Sequence, residues 1–140
     1  GNYSKASRTF ASIRSNSKGD DGAEASYMLS YLYYLNDDYA SAEDIIFDLS
    51  ERFYNDYFIA KGFLLLAKIY KNKGNRLQSK ATLESVIDNY NGSDLVNEAL
   101  MLRNMILQEE KEEANRKLDE QQSYINILED NIDYEIFEDQ

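Results

Sequence analysis

Small residues followed by large apolar ones four and seven positions later recur three times along this chain. They are Ala6, Phe10 and Ile13; Ala42, Ile46 and Leu49; and Ser79, Leu83 and Val86. Spacings of four and seven place each trio on one stripe of an α-helix. The small residue lets a neighbouring helix approach closely, and the large ones fill the space beside it. The segments that open these helices, Tyr3, Tyr39 and Arg76, lie 36 and 37 residues apart. Another helix precedes each of the last two. Leu29, Ser30 and Tyr33 match Leu66, Ala67 and Tyr70 at an offset of 37, again large, small, large on one face. Turn residues fall where such helices must reverse: Asn36-Asp37-Asp38 and Asn72-Lys73-Gly74-Asn75 inside the pairs, Asn55-Asp56 and Asn91-Gly92-Ser93-Asp94 between them. Ser93 or Asp94 is expected to cap the helix that follows, and Asn16 to Gly22 reads as a polar loop.

These positions carry a resemblance. The stretch from Ala23 to Asn91 resembles the tetratricopeptide repeat family, pairs of antiparallel helices repeating at about 34 residues. Phe63 to Tyr70, followed by Gly74 and then Ser79 to Tyr90, is similar to long repeat proteins of Bacteroidetes-type bacteria, many of them exported. The chain departs from the family pattern at Ser79, where the second helix usually has alanine, and at Tyr54 and Asn91, which replace the usual inter-repeat proline. The resemblance implies an all-α fold, a right-handed superhelix of helix pairs with a long C-terminal helix. The expected layout is a solenoid over residues 1–122, made of a half repeat at 2–17, full repeats at about 23–56 and 59–91, and a terminal helix at about 94–122. The half repeat and the unlikely start at Gly1 suggest the C-terminal part of a longer chain. Localisation at the periplasm or cell envelope is implied by the resemblance alone.

Composition narrows the chemistry. The 140 residues include no His, Cys, Trp or Pro. The commonest general base, the thiol nucleophile and the usual zinc ligands are therefore missing. Acidic pairs such as Asp20-Asp21, Asp37-Asp38 and Glu109-Glu110 fall in loops or on polar faces, without the alternating oxygen ligands and central glycine of a calcium loop. No enzymatic activity, cofactor or metal is expected. No run of eighteen apolar residues occurs, so membrane insertion is not expected either.

Charge separates the two ends. The net charge is −11, of which residues 109–140 hold −9 and residues 1–108 only −2. An acidic end repels phosphates, which makes nucleic acid a poor partner. Residues 108–122 are good helix formers without a breaker, so the last helix is expected to run to about Ser123. A heptad can be drawn through Leu107, Ala114, Leu118, Ile125, Leu128 and Ile132, with Lys111 and Gln121 interrupting its seam. Packing of this helix on the end of the stack is favoured over dimerisation through it. Residues 123–140 alternate acidic and apolar side chains and could extend the helix, fold back or dock into another chain.

The resemblance makes protein or peptide binding the expected function, with the first helix of each pair lining a concave face. The candidate groove residues are Glu24, Tyr27, Tyr31 and Tyr34 from one repeat and Lys61, Leu64, Lys68 and Lys71, with Asn72 at the rim, from the next. Tyrosine offers wide contact at low entropic cost, and the lysines would attract carboxylates. Some members of the family grip a terminal carboxylate with lysines and asparagines spread over three repeats. Lys68, Lys71 and Asn72 come from one helix, so that clamp is incomplete. The tail residues Tyr134, Ile136 and Phe137, set among Glu135, Glu138 and Asp139, are a chemical complement to the groove and could occupy it in the same chain or in a second copy. An envelope assembly or chaperone-like role, holding client peptides, is the alternative.

Overall fold

A computed structural model of the chain describes residues 2–138. Those residues form six helices and no strand: α1 Asn2–Asn16, α2 Asp20–Leu35, α3 Tyr39–Arg52, α4 Asp56–Asn72, α5 Arg76–Asn89 and α6 Ser93–Glu138. None of the helices is long and apolar enough to cross a membrane. The chain divides into two compact units, Gly1–Arg103 and Asn104–Gln140.

In the first unit α2 packs on α3 and α4 on α5, each pair joined by a turn of a few residues. The two turns are built alike, 37 residues apart. At the end of α2 the Asp38 N–H donates to the Tyr33 carbonyl and the Asp37 N–H to that of Tyr34. At the end of α4 Asn75 and Gly74 donate to Tyr70 and Lys71 in the same way. Both are Schellman ends, which need one residue in the left-handed region to satisfy the orphan carbonyls. Gly74 supplies it at φ 81°, and Asp37 at φ 59°. The residue that closes each helix then opens the next. Asp38 accepts from the Ser41 N–H and Asn75 from the Gln78 N–H, capping α3 and α5. Asn55 caps α4 in the same manner through the Phe58 N–H.

The apolar stripes meet as their spacing requires. Ala42 and Ile46 of α3 form a buried cluster with Leu65, Leu66 and Ile69 of α4. Ala23, Leu49 and Phe53 form a second. Gly62 marks the closest approach of α3 and α4: a Cβ there would lie 3.3 Å from Leu49 Cδ2 and 3.4 Å from Ile46 Cγ2. The departure at Ser79 is accommodated within the core. Its hydroxyl is buried and donates to the Ala67 carbonyl across the α4–α5 contact, 2.7 Å away. The helix pairs end without proline because Phe53 and Tyr90 adopt extended backbone at the C-caps of α3 and α5.

α1 packs on α2, the Tyr3 hydroxyl donating to the Leu32 carbonyl and Arg14 pairing with Asp48. The expected Asn16–Gly22 loop is shorter than its composition suggests. α2 starts at Asp20, and Gly22 is buried in its first turn beneath the Phe53 ring. A burial that only glycine permits looks, in sequence, like a flexible loop.

The second unit departs from expectation in length and in burial. α6 does not stop near Ser123 but continues to Glu138, because no glycine or proline follows Gly92. Every residue from Ala114 to Ile136 is exposed, so the burial expected for this stretch is not found. Gly1 and Asp139 lie outside the described residues.

Candidate functional site

Tyr27, Tyr31 and Tyr34 sit at i, i+4 and i+7 on α2 and therefore share one face. Tyr39 enters from the first turn of α3 and extends their row. Neighbouring ring centroids are 6.3, 6.2 and 5.9 Å apart with interplanar angles of 21°, 29° and 27°, a ladder of four stacked phenols. These separations fall in the range where offset aromatic pairs attract. Below Tyr27 the ladder continues into Phe58 at 6.2 Å, and Phe58 meets Tyr57 edge-on at 5.0 Å.

The tyrosines are structural and accessible at once. Tyr27, Tyr34 and Tyr39 lean on the buried α3–α4 cluster, while Tyr31 is 37% exposed. Asn72 donates to the Tyr39 hydroxyl at 3.2 Å and holds the end of the row. Burial raises the Tyr27 pKa above its ordinary value, with smaller contributions from Tyr31, Glu98 and Tyr57. Its hydroxyl therefore stays a neutral donor well beyond physiological pH.

The facing side comes from α4 and the first turns of α6. Lys61 lies over two rings, its Nζ 4.8 Å from the Tyr27 centroid and 5.6 Å from that of Tyr57. At such distances the ring quadrupole attracts the ammonium. Lys68 Nζ stands 3.5 Å from a Glu98 carboxylate oxygen. Between these walls is a cavity of about 230 Å³ floored by Leu64 and Leu65. It offers stacked aromatic surface, two ammonium groups and one carboxylate to whatever enters.

Six of the nine residues expected from sequence line this cavity: Tyr27, Tyr31, Tyr34, Lys61, Leu64 and Lys68. Leu64 is also core, 3% exposed. Glu24, Lys71 and Asn72 lie on the same two helices but outside the lining; Asn72 acts through Tyr39. The sequence reading missed Glu98, which turns a cationic wall into an ion pair. The periodicity could have found it. Glu24, Lys61 and Glu98 occupy one position of the 37-residue pattern, acid, base, acid along α2, α4 and α6.

Two further depressions of about 260 Å³ lie elsewhere on the first unit, one bounded by Ile59, Phe63, Val86 and Tyr90, the other by Phe47, Phe63, Tyr70 and Ala81. Phe63 and Ser85 line both. No group of three or more metal-binding side chains comes together among the described residues. In the second unit Tyr134 is 63% and Ile136 56% exposed. The Phe137 side chain lies outside the described residues. No family profile, curated protein or solved structure matches this chain.

Proposed function

We propose that this chain is a protein-interaction scaffold whose helix pairs continue as the right-handed superhelix of the tetratricopeptide type, and that the tyrosine-lined cavity binds a peptide segment of a partner. What carries the reading is the row of Tyr27, Tyr31, Tyr34 and Tyr39 facing Lys61 and Lys68. Rigid tyrosines give large contact area for little lost rotamer freedom. Lys61 sets a cation against aromatic surface, and the Lys68–Glu98 pair can exchange its partner for a ligand carboxylate or ammonium. These groups are suited to holding a peptide through aromatic contact and charge.

A display library of random linear peptides selected on the immobilised chain tests the reading. Selection is expected to enrich sequences that combine an aromatic or apolar residue with a charged one. The double variant Tyr31→Ala/Lys68→Ala is expected to lose them. Enrichment that survives this variant undiminished places the binding elsewhere and overturns the assignment of the site.

A further inference from the structure

The second unit has no part in the cavity, yet it displays an apolar stripe that needs a partner. From Ala114 to Ile136 α6 is exposed at every residue. Those 23 residues extend about 34 Å at 1.5 Å per residue. Most helical stability in proteins comes from packing an apolar face. Leu118 is 61% exposed, Ile125 44%, Leu128 43% and Ile132 54%.

We propose that this segment pairs with the same segment of a second copy as a parallel two-stranded coiled coil. Two observations select that occupant. The first is the identity of the seam. Spacing of seven and of three-plus-four puts Leu118, Ile125 and Ile132 at the a positions and Ala114, Gln121, Leu128 and Glu135 at d. β-branched residues at a with leucine at d favour two parallel strands, and a single polar residue in the seam fixes register at some cost in stability. Ile125, Leu128 and Ile132 are the favoured set, Gln121 is the polar residue within the seam, and Glu135, which would meet its own copy, ends the seam after Ile132.

The second observation is where the charge sits. In a parallel pair the positions flanking the seam face each other between copies. Here they oppose Lys117 with Gln122, Tyr124 with Glu129 and Asn131 with Ile136, and no pair joins like charges. Asp119, Glu120, Asp130 and Asp133 fall on the positions farthest from the partner. Glu129 flanks the seam, and Glu135 bounds it beyond Ile132. The acidity of this end thus leaves the seam open to its own copy while discouraging less specific anionic contacts.

Light scattering of the full chain over a concentration series tests the proposal. The expected result is twice the chain mass for the native sequence and for Ile127→Glu, an equally apolar and exposed position off the seam. Ile125→Glu/Leu128→Glu is expected to give the single-chain mass, with circular dichroism showing that the first unit stays folded. Because the chain has no cysteine, Leu128→Cys is expected to oxidise to a covalent dimer and Ile127→Cys is not. Added salt is expected to strengthen association, since it screens the acids carried by both copies. A single-chain mass at every concentration overturns the proposal. So does equal disruption by Ile127→Glu, equal cross-linking at both cysteines, or dissociation by salt, the last being the mark of an acidic tail docked on lysines.

Discussion

Asp37 and Gly74 hold the same left-handed position in two equivalent turns, and only one of them is suited to it. The left-handed region costs an ordinary residue about 1 kcal/mol, and glycine almost nothing. Asp37→Gly is therefore expected to stabilise the chain by about 0.5–1 kcal/mol, and Gly74→Ala to destabilise it by a similar amount. Urea denaturation of both variants measures this. Gly22 answers to space and not to φ. A Cβ there would stand 2.4 Å from the Ser17 carbonyl oxygen and 2.6 Å from the Phe53 ring. Gly22→Ala is expected to cost about 1–3 kcal/mol, as overpacking does, again read from urea denaturation. Tyr27, like Tyr3, Tyr70 and Tyr90, contributes to the alkaline pH response. Its native pKa lies above the ordinary 10.0, so the folded chain keeps a proton that the unfolded chain releases. The stabilisation is complete below about pH 10 and is lost as pH rises through the native value. Tyr27→Phe is expected to flatten the decline in denaturation midpoint above pH 10.

At the scale of elements the sequence was informative where a residue has one physical reason to be present. Ala42, Ile46 and Leu49 are buried, and so are Ser79, Leu83 and Val86, whereas in the third trio, on α1, Ala6 and Phe10 are half-buried and Ile13 is exposed. The turns at Asn36–Asp38 and Asn72–Asn75 were legible from Asn, Asp and Gly, whose side chains or freedom satisfy helix ends. Asn55 and Asn75 each cap a helix, and replacing either by alanine is expected to cost about 1 kcal/mol in thermal or urea denaturation. Boundaries were less legible. The start of α2 was hidden because glycine usually marks a turn, and Gly22 instead admits a ring. The end of α6 was hidden because alternating acids and hydrophobes suit a tail as well as a helix, and nothing local decides between them. At the site, Tyr27, Tyr31 and Tyr34 could be read from one helix. Glu98 is placed only by carrying the 37-residue pattern on from Glu24 and Lys61 into α6.

For the whole molecule, the proposed reading gives each unit its own form of association, through an aromatic cavity in the first and an exposed acidic helix in the second. The cavity is the centre of the account, because there geometry, aromatic surface and charge converge on residues from three helices. Isothermal titration with the strongest peptide from the display selection tests it most directly, using the native chain, Tyr31→Ala/Lys68→Ala, and Phe47→Ala in the depression beside Tyr70. The account expects affinity to fall about tenfold or more in the cavity variant, roughly 1.4 kcal/mol, and to be unchanged in Phe47→Ala. Unchanged affinity in the cavity variant, or an equal loss in Phe47→Ala, would contradict it.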